Sequence, residues 1–78
     1  MEEWDINILG YDYLMERNKP KIAGCIFRAN TILYPNSANA FDSYAESLMR
    51  NGNLEASLNN YQKAVDIAIA NEDGNVEF

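Results

Sequence analysis

Acidic residues one helical turn apart are the groups in this chain whose spacing most resembles a chemical site. Asp12 and Glu16 are four residues apart, and so are Asp42 and Glu46. On a helix such residues share a face, and two carboxylates there could hold a hard cation such as Ca²⁺. Pairs of this kind usually form a solvated helix face, and we interpret both pairs in that way. The sequence therefore predicts no metal site and no cofactor.

The residue types of most active sites are missing from the sequence. There is no histidine, which removes the commonest general base and the commonest zinc ligand. No serine lies in the G-x-S-x-G context of a hydrolase nucleophile, and the four glycines are isolated rather than grouped in a phosphate-binding loop. The tail NEDGNVEF lacks the length and closing ligand of a calcium loop. We predict that the chain is not an enzyme and has no catalytic residue.

Composition and charge exclude further classes of function. Hydrophobic residues make up 47% of the chain and charged residues 23%, as in soluble globular domains. The net charge of −6 has the wrong sign for a nucleic-acid partner. The apolar runs are far shorter than the roughly 20 residues that cross a bilayer, and the N-terminus MEEWDINILG lacks the cations of a signal peptide. We expect no membrane contact and a cytoplasmic location, unless the chain is cut from a longer precursor.

The single cysteine and the only basic cluster are both interpreted as structural. Cys25 lies at helical spacing among Ile22, Ile26 and Ala29, which predicts a small buried hydrophobe rather than a reactive thiol. The cluster of cations over residues 17–21 is interpreted as a solvated turn.

Apolar residues recur at three- and four-residue steps through most of the chain, which predicts amphipathic helices. Pro20 suits the first turn of a helix. Ser37 and Asn53 are placed to cap two others, and Gly52 suits the left-handed residue that ends a helix. The segment YPNSANAF, residues 34–41, closes one helix and opens the next, so the two must fold back on each other. We predict four helices and no strand, because no segment alternates with a period of two.

The two halves of the chain match when one is displaced onto the other. Phe27 then falls on Tyr61, whereas Gly10 falls on Ala45 only if the displacement is one residue longer. The shorter displacement is the one that places Phe27 on Tyr61, and the longer displacement is the one that places Gly10 on Ala45. We place the extra residue of the first half in the turn 17–21. Small residues at such positions let helix backbones approach closely, and large ones fill the space between neighbouring helices.

The second half, YAESLMRNGNLEASLNNYQKAV, resembles a tetratricopeptide repeat (TPR), a helix–turn–helix unit with a period of about 34 residues. The first half contributes LGYDYL and the repeat-closing Pro35. Ser57 and Asn30 stand where the family uses small residues, and a buried Asn30 would need hydrogen-bond partners. The family's small, large apolar, turn and aromatic positions are matched at Ala23, Phe27, Ala45, Leu48, Gly52, Tyr61 and Ala64.

This resemblance implies an all-α fold of two tandem TPR repeats, with four antiparallel helices in a right-handed superhelix. The function it implies is a non-catalytic module for protein–protein interaction or scaffolding. The expected divisions are an N-terminal extension over 1–4, repeat one over 5–36, repeat two over 37–71, and a tail or the start of an incomplete capping helix over 72–78.

A closer resemblance is to the repeat pair that follows the catalytic domain of some bacterial serine hydrolases, both β-lactamase-like proteins and esterases. It is carried by LGYDYL, IFRANTILYPNSANAFDSYAESLMRNG and LNNYQKAV. Such repeats perform no chemistry. The alternative function is therefore an auxiliary C-terminal repeat region that stabilises or positions a hydrolase domain.

The concave side of a TPR superhelix is lined mainly by the first helix of each repeat. Some family members grip a peptide carboxylate there, but in this chain Tyr11, Asp42 and Glu46 occupy the groove, and Asn7 and Arg50 are the only plausible anion-binding groups. An apolar floor with an acidic rim predicts a basic or apolar peptide segment as ligand; the alternative is an ordinary helix surface with no dedicated ligand. The groove positions implied by the resemblance are Asn7, Tyr11, Leu14, Met15, Asn39, Asp42, Glu46, Met49 and Arg50.

The last helix has little sequence after it that could cover it. Repeat arrays normally end in a capping helix, and only Val76 and Phe78 could begin one here. The outer face of the last helix, formed by Leu58, Val65 and Ile69, would then be exposed, and exposed apolar patches drive association. We expect a protein or peptide partner, or a homo-oligomer formed through this face.

Overall fold

The computed structural model describes the backbone of residues 2–76 and the side chains of residues 2–72. Residues 2–76 contain helices and turns but no strand, so the predicted all-α class with four helices is confirmed. A π-helical segment follows the first helix directly. The elements are α1 (Glu3–Tyr11), the π segment (Asp12–Glu16), α2 (Pro20–Leu33), α3 (Ala38–Arg50) and α4 (Leu54–Val76).

Local residue types set the helix ends where the sequence places them. Pro20 is the first residue of α2, where its missing N–H breaks no helical hydrogen bond. The Ser37 hydroxyl accepts a hydrogen bond of 3.1 Å from the N–H of Ala40, which caps α3 as predicted. Gly52 has a φ of +82°, so it is the left-handed residue after α3.

The extra residue of the first half lies in the π segment, so its predicted position in the turn 17–21 is wrong. The N–H of Arg17 donates to the Asp12 carbonyl, five residues back, whereas the N–H of Asn51 donates to the Ser47 carbonyl, four residues back. Asp12 falls on Ser47 at the longer displacement, but Arg17 falls on Asn51 at the shorter one. The first half therefore has its extra residue before Arg17, within the wider turn of the π segment.

The turns after the π segment and after α3 share one backbone geometry. Asn18 (φ +53°) and Gly52 are both left-handed, and the shorter displacement places one on the other. Asparagine is among the few non-glycine residues that tolerate this conformation. The N–H of the next residue, Lys19 or Asn53, then donates a bond of 2.8 Å to a carbonyl near the end of the preceding helix.

The core is a seam in which small residues face large ones. Phe27 of α2 is fully buried and packs with Ala23 and with Leu14 of the π segment. A Cβ atom built on Gly10 would lie 2.5 Å from Phe27 Cε1, so only glycine fits there. The Tyr11 ring meets the Phe27 ring edge to face, with centroids 4.9 Å apart. All four small residues predicted for the seam are buried: Gly10, Ala23, Ala45 and Ala64.

The polar departures from the family pattern are buried and bonded to backbone. Ser57 is fully buried, and its hydroxyl donates to the Ala45 carbonyl at 2.7 Å. Asn30 is also fully buried, and its Nδ2 donates to the Glu3 carbonyl at 3.3 Å. The Ser57 hydroxyl and Asn30 Nδ2 are therefore each bonded to a carbonyl, whereas Asn30 Oδ1 has no hydrogen-bond partner among the described residues.

Cys25 is exposed, so the prediction of a buried cysteine is wrong. The buried line of α2 passes through Ala23, Phe27 and Asn30. Cys25 is two residues from both Ala23 and Phe27, which places it on the opposite side of the helix.

The last helix also differs from the sequence prediction. α4 continues without interruption to Val76. Residues 72–76 therefore extend α4 instead of forming a tail or a separate capping helix. Phe78, expected to take part in a cap, lies outside the described residues.

We expect Gly10→Ala to destabilise the protein by about 1–3 kcal/mol, because the added methyl group would overlap the fully buried Phe27 ring. Gly24→Ala is the matched control. Its Cβ would meet Asn51 Nδ2 at 3.5 Å, an ordinary contact, and alanine in a helix should add up to about 1 kcal/mol. Urea unfolding of both variants measures the difference. Equal free energies of unfolding would contradict the close packing described here.

Candidate interaction surface

Side chains from α1 and α3 meet on one face of the molecule. The Tyr11 hydroxyl donates to Glu46 Oε1 at 3.0 Å and lies 3.4 Å from Ser43 Oγ. Glu46 Oε2 accepts a bond of 3.4 Å from Arg50 Nε. The Asn39 amide donates to the Glu3 carboxylate at 3.4 Å. The structure thus joins three predicted groove residues, Tyr11, Glu46 and Arg50, whereas Asn39 is bonded to Glu3 of α1.

Two tyrosines share the electrostatic environment of Asp42 and Glu46. Burial raises the pKa of Tyr11 most; the Ser43 hydrogen bond opposes this shift, while the bond to Glu46 and the charges of Glu46 and Asp42 add to it. Burial and then the charges of Asp42 and Glu46 raise the pKa of Tyr61 on α4. Asp42 and Glu46 therefore give this side of α3 a negative potential that reaches both neighbouring helices.

The remaining predicted groove residues do not lie together on one exposed surface. Leu14 is 5% exposed and belongs to the core beside Phe27, so its assignment to the groove is wrong. Asn7 is 8% exposed, and its Oδ1 has no hydrogen-bond partner among the described residues. Met15 and Met49 are about half exposed and available to a ligand.

A second surface, not identified from the sequence, lies between α3 and α4. It is a groove of about 340 Å³ with an apolar floor from α4 and one carboxylate, Asp42, from α3. From the sequence, Asn39 and Asp42 are predicted only at the concave face. The groove between α3 and α4, hereafter the α3–α4 groove, is lined by Ala38, Asn39, Asp42, Tyr61, Ala64, Val65 and Ala68.

The matching seam between α1 and α2 is covered by α3. Asn7 falls on Asp42 at the longer displacement, and Thr31 falls on Val65 at the shorter one. Asn7 and Thr31 are 8% and 7% exposed, whereas Val65 is 50% exposed and Asp42 is also exposed. The same type of seam is therefore closed in the first half and open in the second. This correspondence between the halves is the sequence feature that could have located the groove.

The acidic pairs of the π segment and of α3 and the cleft after α2 are further features of the surface. Asp12 is paired with Arg17 at 2.8 Å and Glu46 with Arg50, so one acid of each helical pair has a cationic partner. Within the described residues, no three His, Cys, Asp or Glu side chains converge as metal ligands. A larger cleft of about 510 Å³ follows the α2–α3 turn, and Glu3 is the one ionisable acid or base in its wall besides the phenol of Tyr34.

Membrane-spanning character and similarity to known proteins both bear on the class of the protein. None of the described helices has the length and apolar character needed to span a membrane. Comparison of the chain with protein-family models, curated proteins and solved structures finds no match. The functional assignment therefore rests on the chain's own residues and geometry.

We expect the Tyr11→Phe/Tyr61→Phe double variant to lose less stability than the wild type at alkaline pH. Both tyrosines have a folded pKa above the unfolded value near 10. Their contribution is therefore fully present below about pH 10 and is lost as the pH rises through the folded pKa values. Tyr11→Phe alone should also lose about 0.5–1.5 kcal/mol at neutral pH, because the bond to Glu46 is removed.

Urea unfolding at several pH values from neutral to alkaline measures both effects. Each single variant should show part of the reduced alkaline slope. Identical alkaline slopes for the wild type and the double variant would contradict the electrostatic environment described for these two tyrosines.

Proposed function

We propose that the chain is a two-repeat TPR module that binds other proteins and performs no catalysis. In this proposal α1 with α2 and α3 with α4 are the two antiparallel helix pairs, and the helix pairs stack in a right-handed superhelix. The matched turns at Asn18 and Gly52 support the assignment, as does the seam of small and large residues. The observation that carries the functional proposal is the open α3–α4 groove beside its closed counterpart.

Exposed apolar residues outside the groove favour the same class of function. On the outer face of α4, Leu58 and Ile69 are each more than half exposed, and Val65, which also lines the groove, is 50% exposed. Ile32 and Leu33 at the end of α2 are 67% and 62% exposed. Surfaces of this kind are buried when a repeat module packs on a partner. The exposed end of α2 also favours the second candidate, a repeat region that packs against a hydrolase domain.

Affinity capture with the immobilised full chain, followed by reconstitution with the purified captured protein, tests the proposal. We expect specific binding that Ala68→Glu in the α3–α4 groove, Met15→Glu or Leu58→Glu weakens at least about tenfold, because a charge on an apolar contact surface opposes desolvation. Asn59→Glu adds the same charge at an exposed polar position of α4 and serves as the control. If all variants retain the same proteins as the wild type, or if no captured protein binds after purification, the proposal fails.

We also propose self-association through the outer face of α4. In sedimentation at protein concentrations on the order of tens of micromolar, the wild type should exceed the monomer mass because apolar surface is buried between copies. The Leu58→Glu/Ile69→Glu variant should sediment as a monomer, and Asn59→Glu should behave like the wild type. A strictly monomeric wild type would refute this assignment.

A further inference from the structure

The α3–α4 groove has the features of a seat for a helix. Ala64 and Ala68, one helical turn apart, belong to its floor, and such small side chains allow the backbone of another helix to approach closely. Tyr61 and Val65 add larger apolar surface. Asp42 is the only formally charged residue among those that line the groove.

The structure contains its own example of a helix in the equivalent seat. α3 packs on α2 and lies along α1. It is bonded to α1 before and after Asn7, through Asn39–Glu3 and Glu46–Tyr11, and Asn7 is 8% exposed. Asp42 is the counterpart of Asn7 at the longer displacement. A helix that covered the α3–α4 groove as α3 covers the first seam would remove Asp42 from water. A buried carboxylate must be paired with a cation, whereas a neutral amide need not be.

Charge also decides against a second copy of this chain as the occupant. α1 occupies in the first half the place that α3 occupies in the second, so α1 of another copy would be the natural candidate. α1 carries Glu3 and Asp5 and has no lysine or arginine. Two acidic surfaces would then meet, in a chain whose net charge is already −6. Like charges opposed across an interface are unfavourable.

Asp42 is also the carboxylate left unpaired on this side of α3. Glu46 is bonded to Arg50 and to the Tyr11 hydroxyl. Within the described part of the chain Asp42 forms no ion pair, and its side chain is exposed at the groove edge. An incoming cation could therefore pair with Asp42 without displacing an existing partner.

We propose that the α3–α4 groove binds an amphipathic α-helix of another protein, with small and apolar side chains against Ala64 and Ala68 and a lysine or arginine against Asp42. This inference rests on the proposed protein-binding function and names the chemistry of its partner. The partner helix has an apolar face bordered by positive charge. Its lysine or arginine forms the ion pair that the Asp42 carboxylate needs once it is buried.

Titration of the isotopically labelled full chain with two synthetic helical peptides tests the proposal. The first peptide carries alanine and leucine on one face and lysine along the border of that face. The second is identical except that glutamate replaces every lysine. The lysine peptide should shift the amide resonances of Asp42, Ala64 and Ala68, and the glutamate peptide should not bind.

Variants with matched charge changes separate the Asp42 contact from general attraction to an acidic protein. Asp42→Asn should weaken binding of the lysine peptide about tenfold. Asp66→Asn removes the same charge from an exposed position of α4 that does not line the groove, and it should leave the Kd within about a factor of two. Ala68→Trp, at an exposed position, should fill the groove and abolish binding without unfolding the protein.

Four results would overturn the proposal. They are equal losses in Asp42→Asn and Asp66→Asn, equal binding of the two peptides, lysine-peptide shifts confined to surfaces outside the groove such as that around Leu58 and Ile69, and resonances of Asp42, Ala64 and Ala68 that change with the concentration of the chain alone in the Leu58→Glu/Ile69→Glu variant. The third result would leave the protein-binding function standing, since a peptide still binds elsewhere. If neither peptide binds and affinity capture also finds no partner, both the inference and the proposed function fail.

Discussion

The close approach of Phe27 to Gly10 is the contact on which the rest of the structure depends. The Phe27 ring occupies the space that any side chain at residue 10 would fill, so α1 and α2 approach at a distance that only glycine permits. Tyr11 then packs edge to face on the same ring, and Tyr44 of α3 packs against the same cluster. The buried cluster of Leu14, Ala23 and Phe27 therefore joins α3 to α1 and α2.

The α1–α2 seam and the α3–α4 groove carry different side chains at positions that match between the two halves of the sequence. Fully buried Asn30 donates to the Glu3 carbonyl in the closed seam, whereas its counterpart Ala64 forms part of an open floor. Asn7 is buried and neutral, whereas Asp42 is exposed and charged. The amides in the covered seam are neutral, and the Oδ1 atoms of Asn7 and Asn30 have no hydrogen-bond partner among the described residues. The uncovered seam keeps a carboxylate in water. The charge of each seam thus matches its exposure: the buried residue Asn7 is neutral and the exposed residue Asp42 is charged.

Features set by neighbouring residues in the sequence could be predicted, and features set by partners distant in the sequence could not. The Ser37 cap, the start of α2 at Pro20 and the left-handed Gly52 each follow from one residue's backbone preference. The prediction for Cys25 is wrong because helical spacing alone leaves open which side of α2 faces the core. The extra residue of the first half could not be located because a π segment has no distinctive sequence and depends on how the helix end packs.

The same limit applies to the candidate interaction surface. The approximate set of exposed polar residues on α3 could be inferred from the resemblance to TPR repeats, but Leu14 could not be recognised as core without the position of Phe27. The α3–α4 groove depends on Tyr61 and Ala68 of α4 lying beside Asp42, a contact between elements that no local pattern encodes. Its openness becomes evident only by comparison with the closed seam.

The proximity of Gly10 and Phe27 is most directly tested by proton NMR of the unmodified protein. Aromatic ring currents shift nearby protons, so at least one Gly10 α-proton should be displaced well away from its random-coil position and should show strong cross-relaxation with the Phe27 ring protons. Random-coil shifts at Gly10, with no contact to that ring, would contradict the packing of α1 on α2 and with it the seam from which the groove was inferred.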